Sequence, residues 1–205
     1  MTSEPAAKPT RIAGDDRQHY DGLEIGLHWA TATFVVALWL ISQIWEYFPR
    51  GDATRLGLQS FHVSLGLLFA VVLLVRILWR LGPGRRPLPA TSGFMEVASE
   101  GVHYLLYGLL IAQVVLGVLW RWGKHDPLGF FALFVIPSPF DFVRATVNRF
   151  GDLHGLVANI ILIVAGLHAA AALFHYYIMK DNVLWRMLPL RRMRREASPA
   201  KDART

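Results

Sequence analysis

Residues 154–168 read HGLVANIILIVAGLH. Two histidines bracket thirteen residues, of which twelve are apolar or glycine and none is charged. A stretch this long without charge suits a helix in lipid, where the backbone can satisfy its polar groups only internally. At 1.5 Å per residue, His154 and His168 stand about 21 Å apart along such a helix, and at 100° per residue they differ by only about 40° in direction. Both imidazoles therefore share one face, at two depths of a bilayer.

The rest of the chain repeats this character. Of its 205 residues 54% are hydrophobic and 18% charged, the latter below the roughly 25% of soluble domains. The apolar residues collect into four runs, at about 25–45, 61–79, 102–119 and 153–179, each long enough to span. Arg76 is the one charge inside these limits and can snorkel to the interface. The first run is too long for a cleaved signal peptide, carries tryptophans and lacks a small-x-small site before its charged exit. No cysteine is present, which excludes disulfides, thiolate metal sites and thiol catalysis.

Lysine and arginine set the direction of the spans. With both termini inside, fifteen face the cytoplasm and six face out: Arg50, Arg55, Arg121, Lys124, Arg144 and Arg149. Both ends are therefore expected to be cytoplasmic. Trp29, Trp45, Trp79, Trp120 and Trp122 fall near the span ends, as interfacial aromatics do. The linker GPGRRPLPATSG (82–93) cannot continue a helix. The segment DPLGFFALFVIPSPFDF (126–142) is apolar and broken by proline, and reads as a flap on the outer surface. The expected organisation is a disordered tail over 1–20, an all-α antiparallel four-helix membrane bundle over 21–190, and a basic tail over 191–205. Membrane lipid is the implied surrounding, and nothing points to nucleic acid.

Six of the eight histidines lie in or at the edge of spans. His62 opens the second span at the outer level of His154. His28 lies about one turn into the first span, at the inner level of His168. Two imidazole pairs at two depths result. Ionisable groups in a membrane are costly and read as functional. Imidazoles facing each other across a haem are joined through its iron, and small residues beside them (Gly26, Gly66, Gly155, Gly166 and Ala169 to Ala172) leave room for a flat macrocycle. The spacing thus points to two six-coordinate haems b, with a haem-free histidine relay moving protons or a solute as the competing reading.

The motifs SFHVSLG (60–66), GLHWA (26–30) and GLHAAAALFHYYIMKDNVLWRMLP (166–189), with YFPRGD (47–52) and HYLLYGLLIAQVVLG (103–117), resemble the bacterial cytochrome b561 family over nearly the whole chain. The resemblance implies a dihaem cytochrome of the inner membrane that exchanges electrons with quinone. In the branch it is most similar to, electrons come from superoxide outside and go to ubiquinone. Carried over, the axial ligands are His28 with His168 and His62 with His154. Arg50, Arg55, Lys124, Arg144 and Arg149 are candidates for steering the superoxide anion. His175, Lys180 and Asp181 are candidates for a quinone site, which needs hydrogen-bond donors and protons. His103 is a further quinone candidate or a rival ligand opposite His28. A membrane anchor passing electrons between a periplasmic redox partner and quinone is the alternative within the same family.

Overall fold

The computed structural model describes residues 20–82, 93–181 and 183–188. The tail expected over 1–20, except Tyr20, the tail expected over 191–205 and most of the linker lie outside the described residues. Four long helices make up most of the described residues: α1 (Gly22–Ile44), α2 (Ala53–Leu81), α3 (Phe94–Gly123) and α4 (Arg144–Phe174). Each is long and apolar enough to cross a membrane. Every span expected from sequence lies within one of these helices or its terminal turn, but the helices run further. Lipid ends a hydrophobic run, whereas a helix can continue past it into the interface. Asp21 caps α1 by accepting from the Glu24 N–H at 2.8 Å, and Asp52 caps α2 by accepting from the N–H groups of Thr54 and Arg55. These two N–H groups hold the Asp52 carboxyl below its usual range.

α1 packs along α2 and α3 along α4, while α2 meets α3, and α1 meets α4, much more sparsely. The bundle is thus two helical hairpins facing each other across a slot. Phe69, Leu73, Leu110 and Ile161 form the buried centre. Ile161 stands seven residues from both His154 and His168, so this buried apolar cluster separates the two histidine levels. The end where α1 and α3 begin is called the lower end below, and the end where α2 and α4 begin the upper end.

Between α3 and α4 the apolar flap is an antiparallel hairpin, β1 (Leu128–Phe130) with β2 (Phe134–Ile136). Ser64 of α2 is buried and pins it. Its hydroxyl accepts from the Phe131 N–H at 2.9 Å and faces the carbonyls of Ser60 and Gly129 at 3.1 and 3.2 Å. At the other end, α4 passes into a wider turn, His175–Met179, which stops at Lys180 in a left-handed conformation (φ 53°). A last turn, Leu184–Met187, folds back on α1, where the Trp29 indole N–H donates to the Met187 carbonyl at 2.8 Å.

Candidate functional site

The four expected ligands face the slot in two pairs. At the upper end the ring centres of His62 and His154 are 6.5 Å apart, with the planes at 75°. At the lower end His28 and His168 are 6.4 Å apart, at 68°. Two metal–imidazole bonds of about 2 Å, plus roughly 1 Å from each ring centre to its nitrogen, span about 6 Å. Both pairs are thus set at the separation a single bridging iron needs. Among the described residues no cluster of three or more histidine and carboxylate groups could hold a bare ion.

The upper pair opens on a cavity of about 440 Å³ whose walls include Gly66, Gly155, Trp45 and Trp120, within the 300–1,000 Å³ range of cofactor and ligand sites. A Cβ on Gly66 or Gly155 would meet nothing within 4 Å, so both glycines leave open wall on which a flat ring could lie. His154 is held in the ligating tautomer. Its Nδ1 is 3.1 Å from the Gln113 carbonyl, which can only accept, so Nδ1 carries the proton and Nε2 keeps its lone pair. The Gln113 side-chain N–H donates to that Nε2 at 3.2 Å, and would turn away when a metal takes its place. His62 Nδ1 is buried without a hydrogen-bond partner, a state that iron bound through this ring's other nitrogen would not worsen. The residues fit a bis-imidazole haem.

Gln113 and Gly117 were missed in the sequence. A Cβ at Gly117 would lie 2.9 Å from His154 Cε1, so glycine is what lets the ring sit against α3. A lone glutamine inside an apolar span was the available signal.

At the lower pair, His103 of α3 comes within 5.0 Å of the His168 ring centre. Its Nδ1 lies 2.6 Å from the Ser99 carbonyl. His28 Nδ1 faces the Arg76 guanidinium, with Nη2 3.0 Å away, and Arg76 Nε donates to the Tyr107 hydroxyl at 3.1 Å.

The five basic candidates are not brought together. Arg55 is turned inward onto Glu46 and the carbonyls of Trp45 and Phe48, while Arg50, Arg144 and Arg149 are exposed. Only Lys124 lines the upper cavity, joined there by Arg121. The Lys124 ammonium lies 4.0 Å from the Trp120 ring centre, and Trp120 is 6.0 Å from His154. Burial pulls this amine below the usual lysine range, Asp126 opposing and Arg121 reinforcing the shift.

Of the quinone candidates, His175 and Asp181 meet at 2.5 Å. Burial would raise the Asp181 carboxyl, but the His175 hydrogen bond and the Val183 N–H outweigh it and hold the group low. Tyr176, edge-on to Trp185 at 5.8 Å, closes the same turn. Lys180 supplies the bend that brings Asp181 back to His175.

Four membrane-crossing helices with facing histidine pairs across a slot describe the class of b-type membrane cytochromes. Comparison with known proteins agrees. The model of the family described as prokaryotic cytochrome b561 matches residues 19–190. A protein named probable superoxide oxidase CybB of Yersinia pestis is 30% identical over 174 residues, covering 84% of this chain and 97% of the relative. Cytochrome b561 homolog 2 of Escherichia coli K12 is 29% identical, over 83% of this chain and 92% of its own length. Cytochrome b562 of Cereibacter sphaeroides is 32% identical, over 82% and 94%. The chain belongs to the prokaryotic cytochrome b561 family, and so is a bacterial membrane protein of electron transport that binds haem b.

Proposed function

We propose that the chain is a dihaem superoxide:ubiquinone oxidoreductase of the inner membrane, with the upper end outside and both termini in the cytoplasm. The observation that carries the reading is the pair of imidazole couples, each at an iron-bridging separation, on either side of a buried apolar core. His62 with His154, and His28 with His168, are the residues that would hold the two haems. Bound there, haem iron supplies one-electron oxidation and reduction. Two superoxide anions lose one electron each and leave as dioxygen; the two electrons and two protons convert ubiquinone to ubiquinol.

The chain's own residues divide this work. Lys124 places positive charge on the wall of the upper cavity, beside the Arg121–Asp126 ion pair, where a small anion is attracted. Phe69, Leu73, Leu110 and Ile161 exclude water between the two levels, so charge crosses there without a chain of proton carriers. His175, held by Asp181, is a hydrogen-bond donor and proton source at the lower end. The relative named superoxide oxidase supports the choice of donor.

The test is ubiquinol formation by purified protein in liposomes supplied with enzymatically generated superoxide. Ubiquinol should accumulate, added superoxide dismutase should suppress it, and H62A should abolish it. Ubiquinone left unreduced while the haems are intact would overturn the assignment of superoxide as donor.

A further inference from the structure

The two imidazole pairs differ in what stands behind the ring. Behind His154 is a carbonyl, which fixes the proton on Nδ1 and leaves Nε2 free to ligate. Behind His28 is a guanidinium, Nη2 to Nδ1 at 3.0 Å. A guanidinium has no lone pair to offer and only donates, so His28 Nδ1 is held as an acceptor and the ring proton sits on Nε2. A ring in that state cannot bind iron through Nε2. Once Nε2 ligates, Nδ1 carries the proton and turns an N–H toward a cation's N–H groups. Arg76 has then to leave the ring.

Where it can go is constrained. Arg76 lies within a membrane-crossing helix, where an unpaired charge is expensive. Its remaining contacts are neutral: the Tyr107 hydroxyl at 3.1 Å and the Tyr107 ring, whose centre is 5.4 Å from the guanidinium carbon. Among the described residues no carboxylate pairs with it. The buried Glu24 is engaged by Arg80, one turn further along α2, at 2.8 Å. Haem b would bring an anion to this end, since each macrocycle carries two propionate carboxylates, and arginine binds carboxylates with two parallel hydrogen bonds.

We propose that Arg76 is the propionate-binding and potential-setting residue of the lower haem. The proposal rests on His28 and His168 as that haem's ligands. A fixed positive charge near the iron favours the form that has gained an electron, so Arg76 raises the potential of this site and biases electrons toward the lower end. Tyr107, bonded to Arg76 Nε and lying under its guanidinium, holds the side chain at this end of the slot.

The test uses the full chain, purified with haem, in wild-type, R76Q, R76K and H62A forms. Haem per chain and a redox titration of the α-band are measured, and the component missing in H62A identifies the upper haem. In R76Q the lower component should be harder to reduce by at least tenfold, which is 59 mV for one electron, with the upper component unmoved. R76K, which keeps the charge, should restore most of that shift. Should R76Q fail to take up the lower haem, R76K should take it up with a potential near wild type, and a lysine variant as defective as R76Q would overturn the proposal. So would an R76Q protein with both haems and both potentials unchanged. Wild-type protein with no second haem would instead remove the ligand assignment beneath it.

Discussion

Gly117→Ala tests the upper pair at its tightest point. The added methyl would sit 2.9 Å from His154 Cε1 and 3.2 Å from Nδ1, closer than van der Waals contact allows. The ring cannot simply slide, because its Nδ1–H is bound to the Gln113 carbonyl four residues back on the same helix as Gly117. Overpacking of this kind costs about 1–3 kcal/mol, and loss of the hydrogen bond falls in a similar range. If the strain is relieved by turning His154 away from His62, a cost of about 1.4–3 kcal/mol means haem at the upper pair bound about ten- to a hundredfold more weakly. Gly108→Ala on the same helix is the control, since its Cβ would meet nothing within 4 Å. Both variants are purified and titrated with an apomyoglobin haem trap, following loss of pigment. G117A should surrender one haem far faster than G108A and wild type, and keep the other. Equal retention in all three would refute the idea that the His154 position depends on the missing side chain.

Three further outcomes follow from the same geometry. H103A should keep both haems, because His168 already stands at the iron-bridging separation from His28 while the His103 ring is held on the Ser99 carbonyl; loss of one haem on quantitation would show that the ligand assignment at the lower end is wrong. Superoxide-driven ubiquinol formation should fall with ionic strength, and should also fall as pH rises toward the Lys124 pKa, because its ammonium loses its charge earlier than an ordinary lysine; K124Q should remove that alkaline limb, and an unchanged pH profile would deny Lys124 the role. S64A should free the 128–136 hairpin, whose bonds to the hydroxyl amount to about 1–3 kcal/mol in total; protease cutting in that loop should rise with haem content unchanged, and equal cutting would show that Ser64 does not hold the hairpin.

The parts of this molecule legible in the sequence are those that depend on one coordinate along the chain. Length without charge marked each span, and the fourteen-residue spacing of His154 and His168 fixed a shared face and two depths. The partners His28 and His62 followed from depth alone, and the structure sets them at 6.4 and 6.5 Å from α4's rings. What the sequence left open depends on how helices are rotated against one another. Arg76 read as a charge snorkelling to the interface, but the packing of α2 on α1 turns it onto His28. Arg55 read as an outward cation, but a nearby carboxylate and two carbonyls of the connecting loop pull it in. The flap over 126–142 carried no alternation strong enough to reveal paired strands, because its pairing is set by a serine some 65 residues earlier. Helix starts lie beyond the apolar runs, at a polar cap such as Asp52 for α2 and with no side-chain cap for α3 and α4.

Haem stoichiometry of the purified full chain, by pyridine haemochrome against protein mass, bears most directly on the paired-imidazole reading. Two haems b per wild-type chain, one in H62A, and none in the His154→Ala, His168→Ala double variant are expected. A wild-type chain with a single haem, or a double variant that keeps its pigment, would contradict it.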